Sequence, residues 1–386
     1  MTMRTVNFFI FFSLFLIVYG LINYYIFLRG WQLIPRGSAL RPWYALVFWL
    51  VVMSYLGGRL LERYSVCAAS DTAIFIGSFW FAIMTYMFIG LLLVDSLRLL
   101  YQVVPFLPSG IVARKEFLKY AVAAVVILSV FSTVAAGYVN AARPRTRTID
   151  IRLTEKTVPP GGIRIALATD IHLGVIIGNS RLERLVTAIN AMRPDVILLA
   201  GDIVDEDLAP VIEQNLGETL RGLRAKYGIY AVTGNHEYIG GAEDAVKYLT
   251  EHGITVLRDK AVLIDDSFYI AGREDRSITG FTGRQRTPLA DIISGLNKRL
   301  PIILLDHQPF HLDDAVKAGI DLQVSGHTHH GQMWPFNYAT QGIFEVSRGY
   351  HIKGNTHYYV STGFGTWGPR VRIGNRPEIV VIEVKQ

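Results

Sequence analysis

The chain has 386 residues, of which 51% are hydrophobic, and its mean hydropathy of +0.31 is too high for an average soluble protein. Its formal charge of +6 is mild and gives no indication of nucleic-acid binding. A single cysteine, Cys67, excludes an internal disulfide and any zinc site built from several cysteines.

The apolar excess is concentrated in four uncharged segments before residue 143. A hydrocarbon core about 30 Å thick is crossed by roughly 20 apolar residues in a helix. Segment 42–58 is shorter than this, but Trp43, Tyr44 and Tyr55 lie near its ends, as interfacial aromatic residues do. The first segment is too long for the apolar part of a signal peptide, and no small-residue cleavage site follows it. We therefore predict four transmembrane helices, over about 6–28, 42–58, 72–94 and 120–142.

Basic residues in the loops predict how these helices are oriented. An even number of helices puts both termini on one side of the membrane, and the loops on the opposite side carry seven lysines and arginines against six. Because basic loops favour the cytoplasm, this small excess predicts that the region after the fourth helix faces outward. Segment 97–112 contains prolines and an arginine, and we expect it to lie at the membrane interface. The lipid bilayer is thus an expected partner of residues 1–142.

Composition changes abruptly after residue 142. Residues 143–162 read as a linker and a first strand, because the alternating "TIDIRL" is followed by a Pro-Pro-Gly-Gly turn. From residue 163 to 386, short apolar runs alternate with segments of helical spacing, which is typical of an α/β domain. We predict helices over 180–192 and 242–252, and strands over 163–168, 196–200, 229–233, 302–306, 322–326, 358–362 and 378–384.

Polar side chains follow five of these strands, in the blocks "TDIH", "GDIVD", "GNHE", "DHQP" and "GHTHH". The carboxyl ends of strands in open α/β sheets converge on one crevice, where ligands bind. A lone loop histidine is usually solvated, but nine ligand-type residues at five strand ends are too many for coincidence. They are Asp170, His172, Asp202, Asp205, Asn235, His236, His307, His327 and His329.

The residue types limit the chemistry of this site. Imidazole, carboxylate and amide oxygen without thiolate suit Mn²⁺, Fe²⁺/Fe³⁺ or Zn²⁺ rather than a closed structural zinc site. The candidates are too many for one ion and fit two ions that share a carboxylate. Two such ions, about 3.5–4 Å apart, clamp a phosphate and lower the pKa of a bridging water. The sequence therefore predicts hydrolysis of phosphoesters by a metal-bridging hydroxide.

The series D-x-H, G-D-x-x-D, G-N-H-E, H and G-H-x-H, in this order over roughly 160–386, resembles the calcineurin-like metallophosphoesterases. The C-terminal stretch from "GHTHHGQMWP" onward is similar to the bacterial branch that carries membrane segments. The resemblance implies a four-layer αββα sandwich of two mixed sheets and hydrolysis of phosphoric mono- or diesters. It also implies residence in the inner membrane of a bacterium, and the charge balance of the loops predicts that the catalytic domain lies outside the cytoplasm.

The resemblance further implies roles for single residues. One metal would lie on Asp170, His172 and His329 and the other on Asn235, His307 and His327, with Asp202 bridging the two. His236 would hydrogen-bond the phosphate or protonate the leaving oxygen, and Asp205 would orient His236. Asn235 would also contact the phosphate.

Two positions depart from the family pattern. His330 stands where anchored members usually have glycine, and we expect it to be an exposed loop residue rather than a substrate contact. Glu206 follows Asp205 where serine/threonine protein phosphatases have arginine, so we do not expect protein phosphatase activity.

Residues near the C-terminus bear on the substrate. Arg370, Arg372 and Arg376 are candidates for contact with a second phosphate or an anionic headgroup, or form a solvated basic edge. The aromatic residues are candidates for an apolar rim that receives acyl chains, or pack under the loops; they are Trp334, Phe336, Phe364 and Trp367. Since a membrane anchor concentrates the enzyme near lipids, we predict a membrane-associated or lipid-linked phosphoester as substrate.

Three alternatives were weighed. A transporter or sensor with a regulatory metal-binding domain is disfavoured, because the four apolar segments contain no ionisable residue. A pseudoenzyme is disfavoured because His236 and Asp202 are both present. A nuclease within the same superfamily is disfavoured by the membrane anchor and by the absence of a basic groove with interleaved aromatic residues, so no nucleic-acid partner is expected.

Overall fold

The structure, a computed structural model, describes residues 3–386, with side chains from residue 10 onward except at residues 11 and 109. It consists of two compact units, of which the first ends at Ala136 and the second is Gly137–Gln386.

The first unit is helical. Its elements are α1 (Met3–Leu33), α2 (Leu40–Glu62), α3 (Ala68–Val103), the short α4 (Ser109–Val112) and α5 (Lys115–Ala141), which ends in the second unit. Four segments are long and apolar enough to cross a membrane, namely Phe12–Leu33, Leu40–Glu62, Ala68–Val103 and Lys115–Ala141.

These helices extend past the predicted segments at most of their ends. Because α1 and α3 continue beyond the uncharged runs, Arg29, Asp95 and Arg98 lie within helices rather than in loops. In segment 97–112, which is expected at the membrane interface, the first part is helical because α3 continues to Val103. Helical hydrogen bonding simply continues through the polar residues at the helix end.

The second unit contains two six-stranded mixed sheets. The first sheet has the order β1-β12-β2-β3-β4-β5, and the second has the order β10-β11-β9-β8-β7-β6. The strands are β1 (Arg145–Arg152), β2 (Ile163–Ala168), β3 (Val196–Ala200), β4 (Ile229–Val232), β5 (Thr255–Val256), β6 (Lys260–Ile264), β7 (Phe268–Gly272), β8 (Ile302–Leu305), β9 (Leu322–Ser325), β10 (Gly349–Lys353), β11 (Thr356–Val360) and β12 (Glu378–Lys385).

Alternation along the strands builds two apolar layers. In β8, Ile303 and Leu305 pack between the two sheets, whereas Ile302 and Leu304 face the helices on the other side. A strand buried on both faces needs an unbroken apolar sequence, which "IILL" supplies. Full burial of each such side chain contributes about 1.5–3 kcal/mol.

Helices complete the outer layers. On the second sheet, Leu312 and Ala315 of one helix pack with Leu289 of another against the outward face. The helices are α6 (Asn179–Ala191), α7 (Ala209–Glu213), α8 (Leu216–Leu220), α9 (Asn235–Gly240), α10 (Ala242–Glu251), α11 (Ile278–Thr282), α12 (Leu289–Ile292), α13 (Leu312–Ala318) and α14 (Phe336–Ile343). The predicted α/β fold with a four-layer αββα domain is confirmed.

Every strand predicted after residue 162 is present, with bounds that differ by at most two residues. Four further strands, β5, β6, β7 and β10, were not predicted from the sequence. The strand β10 is exposed along most of its length and lacks an apolar run, so its sequence gives no strand signal. The strand β6 is partly exposed, whereas β7 is mostly buried, and the apolar residues of both strands were not recognised as strand signals.

The last turn of α5 belongs to the second unit, so the helical unit ends before the predicted boundary at residue 142. The carbonyl of Gly137 accepts the backbone N–H of Arg372 at 3.0 Å. The side-chain amide of Asn140 donates to the carbonyls of Arg372 and Asn375, at 2.9 and 2.6 Å. These bonds attach the end of α5 to the loop that precedes β12.

Candidate active site

The polar blocks after β2, β3, β4, β8 and β9 come together at one place. Three overlapping groups have ligand atoms that all lie within 4.8 Å of one another. Neighbouring parallel strands in each sheet end at the same edge, which explains the convergence. The groups are Asp170–His172–His329, His172–Asp202–His236 and Asp202–His307–His327.

One half of the cluster is built on His307. Its Nδ1 lies 2.8 Å from the carbonyl of Ala200, a contact that requires the ring proton on Nδ1. Nε2 then faces Asp202 Oδ2 at 3.1 Å and Asn235 Oδ1 at 3.3 Å. These three atoms are all hydrogen-bond acceptors, and no donor lies between them. Only a positive charge stabilises all three, and either a proton on Nε2 or a metal ion supplies it. The residues therefore fit a cation on chemical grounds.

Burial strengthens this requirement. Asp202 and His307 are almost fully buried, with exposures of 2% and 0%. Burial alone would raise the pKa of Asp202, but His307 and the neighbouring histidines hold that pKa well below its usual range. Burial lowers the pKa of His307, yet the negative charge of Asp202 outweighs it and raises that pKa well above its usual value. Without a metal ion the two side chains therefore form an ion pair, and the proton on Nε2 supplies the positive charge that a bound metal ion would supply in its place.

The other half contains two stacked imidazoles. Nε2 of His172 lies 3.0 Å from Nε2 of His329, which in turn lies 3.4 Å from Asp170 Oδ1. His172 Nε2 is also 4.0 Å from Asp202 Oδ2, so Asp202 lies between the two halves. Two imidazole nitrogens and two carboxylates that face one another form a donor set suited to a divalent transition-metal ion.

Arg372 sets the orientation of His329. Its guanidinium is fully buried and donates to His329 Nδ1 at 2.9 Å and to the carbonyl of Gly365 at 2.7 Å. Arg372 is thus neither on a solvated edge nor open to a substrate, contrary to both expectations for it. With a donor at Nδ1, the ring's own proton lies on Nε2, so ligation through Nε2 requires this contact to rearrange.

His236 and Asp205 form a contact beside the cluster. Nδ1 of His236 lies 3.0 Å from Asp205 Oδ1, and the same oxygen is 3.4 Å from His172 Nδ1. Burial lowers the pKa of His236, but the hydrogen bond with Asp205 and the charge of Asp202 outweigh it and raise the pKa to about 9. The imidazole is therefore held in its protonated form near neutral pH, when no metal is present.

Glu237 ties two of the loops together. Its buried carboxylate accepts four backbone N–H groups, from Asp202 at 3.1 Å, Ile203 at 2.7 Å, Val204 at 2.9 Å and Gly234 at 2.6 Å. These bonds fix the segment after β3 to the start of α9. Glu237 acts on the site through the backbone, since its carboxylate is occupied there.

Several site residues stand on left-handed backbone, which costs a non-glycine residue roughly 1–2 kcal/mol. Such strain is concentrated at functional sites and persists where the surroundings enforce it. Here the N–H of Asp170 donates to Gly201 at 3.0 Å, and its carbonyl accepts from Gly365 at 2.7 Å. The residues with positive φ are Asp170, His172, Asp202, His327 and His329.

Two glycines of the motifs are required by close approach. A Cβ on Gly326 would lie 2.3 Å from Asp170 Oδ2, and one on Gly234 would lie 2.1 Å from Asp202 Oδ1. Both glycines therefore leave room for a candidate ligand carboxylate.

One expectation fails in the structure, and the position of a second candidate residue is now defined. His330 is buried, with 3% exposure, and its Nδ1 lies 3.0 Å from Ser347 Oγ, so it is a packed residue and not an exposed one. The reason is the tight turn after Thr328, whose hydroxyl accepts the N–H of His330 at 3.1 Å. Arg370, proposed as a substrate contact, lies over the ring of Tyr138 at 5.8 Å and is not among the described residues that line the cavity over the cluster.

That cavity has a volume of about 540 Å³. Asp202, Asn235 and His236 lie on its wall, and most of the remaining surface is apolar. Three large apolar side chains of the lining stay exposed: Ile239 at 49%, Phe336 at 45% and Trp367 at 56%. The ring of Trp367 is 6.1 Å from that of His236.

The other two aromatic candidates lie elsewhere. Phe364 is buried, with 1% exposure, beneath the guanidinium of Arg181. Trp334 is 44% exposed but is not among the described lining residues. The apolar rim is therefore made by Phe336 and Trp367 together with Ile239, which the sequence did not single out.

Comparison with known proteins agrees with this geometry. Residues 163–331 match the family model described as calcineurin-like phosphoesterase. An uncharacterized metallophosphoesterase of Aquifex aeolicus is 32% identical over 234 residues, covering 60% of this chain and 88% of the relative. An uncharacterized metallophosphoesterase of Campylobacter jejuni is 27% identical over 398 residues, covering 98% of this chain and 99% of the relative.

One vertebrate relative is named as a transmembrane protein. The zebrafish (Danio rerio) "Transmembrane protein with metallophosphoesterase domain" is 31% identical over 264 residues, covering 65% of this chain. The match spans 60% of that relative's length. The name and the four apolar helices together indicate a membrane protein.

The chain belongs to the calcineurin-like metallophosphoesterase family. It is accordingly a metal-dependent hydrolase of phosphoester bonds, with histidine and aspartate groups that fit metal ions. The resemblance inferred from the sequence blocks is confirmed.

The contact between Asp205 and His236 predicts a change in pH dependence. If His236 acts in its protonated form, the rate falls as pH rises through its pKa. Asp205→Asn removes the neighbouring negative charge and lowers that pKa, so the alkaline decline in kcat for an aryl phosphate ester should move to lower pH by about one to three pH units. The matched control is Asp207→Asn, which removes a charge two residues away. An alkaline limb that stays in place in Asp205→Asn would contradict this assignment.

Proposed function

We propose that this protein is a membrane-anchored, dinuclear-metal phosphoesterase that acts on a membrane-associated or lipid-linked phosphate compound. The observation that carries this proposal is the apolar rim around the catalytic cluster. A phosphoesterase for small polar esters has no need of Phe336 and Trp367, each about half exposed beside its cavity. Exposed aromatic side chains of this kind gain free energy when an apolar chain covers them.

The proposed ligand set divides between two ions. Asp170, His172 and His329 would hold one ion, Asn235, His307 and His327 the other, and Asp202 would contact both. The mixture of imidazole, carboxylate and amide oxygen without thiolate favours Mn²⁺, iron or Zn²⁺. When bound, such ions supply Lewis acidity that activates water and neutralises charge on the phosphoryl group.

The chain's own residues perform the remaining steps. His236 donates a proton to the leaving oxygen, a role that its contact with the Asp205 carboxylate supports, because that charge stabilises the protonated imidazole. Asp205 orients this imidazole through Nδ1, leaving Nε2 as the atom available to the substrate. Asn235 lies on the cavity wall, where its amide also meets the phosphate. The apolar side chains of the rim exclude water and hold the acyl part.

Membrane attachment supports a lipid substrate, because a tether raises the effective concentration of enzyme at the bilayer. Seven lysines and arginines lie in or beside the connections from α1 to α2 and from α3 to α5, including those in the adjoining helix ends, against six on the opposite side. We propose on this basis that the catalytic domain faces outward from the cytoplasmic membrane of a bacterium. The remaining partner is the lipid bilayer itself, and no nucleic acid is proposed.

Removal of the shared carboxylate tests the dinuclear site. Asp202→Ala should lose most bound metal and all detectable hydrolysis of an aryl phosphate ester, since it removes the group common to both halves. His236→Ala should keep its metal but lose about 10²–10⁴-fold in rate, the usual contribution of proton transfer. Metal is measured by elemental analysis of the purified chain, with the exposed Asp244→Ala as control.

Full metal content and activity in Asp202→Ala would contradict the bridging role. Loss of metal in His236→Ala would make this histidine a ligand, as its grouping with His172 and Asp202 allows.

The apolar rim predicts a selective effect on lipid substrates. Metal-loaded enzyme is incubated with a total membrane lipid extract, and mass spectrometry identifies the phosphoester that disappears. The double variant Phe336→Ser and Trp367→Ser should lower kcat/KM for that lipid by at least about tenfold, from the loss of apolar contact. Hydrolysis of a water-soluble aryl phosphate should change by less than about threefold.

The matched control is Phe281→Ser with Tyr338→Ser, which removes two exposed aromatic residues outside the cavity lining. Equal losses on both substrates, or the consumption of no lipid phosphoester at all, would refute the lipid assignment.

A further inference from the structure

The helical unit contains a cavity of its own. It lies between α1, α2, α3 and α5 and has a volume of about 520 Å³. Most of its wall is apolar, with Phe48, Trp80, Leu91 and Val126 among the lining residues. The volume is within the range of about 300–1,000 Å³ that is usual for small-molecule sites.

One part of this wall is charged. Arg29 from α1, Asp95 and Arg98 from α3, and Lys119 from α5 all line the cavity. Asp95 forms ion pairs with both arginines, with Arg29 through Oδ2 and with Arg98 through Oδ1 at 3.2 Å. Three cations and one carboxylate leave an excess of two positive charges among the lining residues. Lys119 pairs outside the lining with Glu116 at 3.4 Å, whose side chain is 76% exposed.

The charged residues lie at one end of the helices. Arg29 and Arg98 are near the C-terminal ends of α1 and α3, and Lys119 is in the first turns of α5. Tyr120 donates to the carbonyl of Leu33 at 3.2 Å, which joins the start of α5 to the end of α1. Such helix ends lie where the hydrocarbon region gives way to headgroups, and basic pockets between helices at this depth bind anionic headgroups.

We propose that this cavity binds one phospholipid-type amphiphile, with its phosphate between Arg29, Arg98 and Lys119 and an acyl chain along the apolar wall. Two features of this cavity favour a lipid as its ligand. The apolar part of the wall suits an acyl chain, and the excess positive charge at the helix ends suits an anionic headgroup.

The proposed lipid site is separate from the hydrolytic one. None of its lining residues belongs to the histidine and aspartate cluster or to the rim of its cavity. The proposal therefore holds whether or not the substrate of the phosphoesterase is a lipid. An occupied site would fill the space between α1, α3 and α5 and add contacts that the helices do not make directly.

The test is a binding titration of the full-length protein in detergent, followed by native mass spectrometry. The probe is dioleoyl phosphatidic acid, and dioleoylglycerol, which has the same chains without phosphate, is the comparison. EDTA is present throughout, so that hydrolysis does not contribute to the signal. The wild-type chain should bind one phosphatidic acid at least about tenfold more tightly than dioleoylglycerol.

The variant Arg98→Gln with Lys119→Gln should weaken binding of phosphatidic acid at least about tenfold. Its matched control, Arg36→Gln with Arg114→Gln, removes two loop cations on the same side that do not line the cavity, and it should bind as the wild type does. Ala123→Trp fills the cavity with the charges intact and should also abolish binding. An unchanged elution volume of the full-length protein and an unchanged helix content by circular dichroism verify that each variant is folded.

Three results would overturn the proposal. Equal weakening in the control would assign the binding to general surface charge. Equal affinity for dioleoylglycerol and phosphatidic acid would show that the phosphate does not contribute to binding. Unchanged binding in the folded Ala123→Trp variant would place the lipid elsewhere.

Discussion

A buried carboxylate, a buried imidazole nitrogen and a partly buried amide oxygen face one another at the centre of the site. Asp202 Oδ2 and Asn235 Oδ1 lie 3.1 and 3.3 Å from Nε2 of His307, whose own proton is held by the carbonyl of Ala200. Lone pairs at such distances repel unless a positive charge lies among them, and burial removes the water that would otherwise screen them. This one constraint explains why the site has to hold a cation when it functions.

Much of the second unit serves to keep those atoms together. The carboxyl ends of parallel strands bring the loops to one edge, and the four N–H bonds of Glu237 fix the Asp202 segment to the start of α9. Gly234 and Gly326 leave room for carboxylate oxygens that a Cβ would displace. Arg372 holds His329, and the same loop is hydrogen-bonded to the last turn of α5. The end of a candidate membrane helix and the orientation of a candidate ligand thus depend on one short loop.

The sequence predicted the parts of this arrangement that depend on local pattern. Unbroken apolar runs such as "IILL" identified the buried strands, and the bursts of aspartate and histidine after them identified the cluster. The sequence did not predict contacts between residues that lie far apart in the chain. Arg372 looked like a surface arginine because a buried guanidinium and a solvated one have the same sequence signal. His330 looked exposed because its burial depends on Ser347, far along the chain. Ile239 belongs to the rim because the fold places it there, and nothing in its sequence position indicated this.

The central claim is that Asp202 joins two cations held by opposite halves of the cluster. It is tested most directly by anomalous diffraction from crystals of the full-length chain grown with Mn²⁺. The account predicts two peaks, one beside Asp170 and His172 and one beside His307 and His327, each in contact with a different side of Asp202. A single peak, or two peaks neither of which touches Asp202, would contradict it.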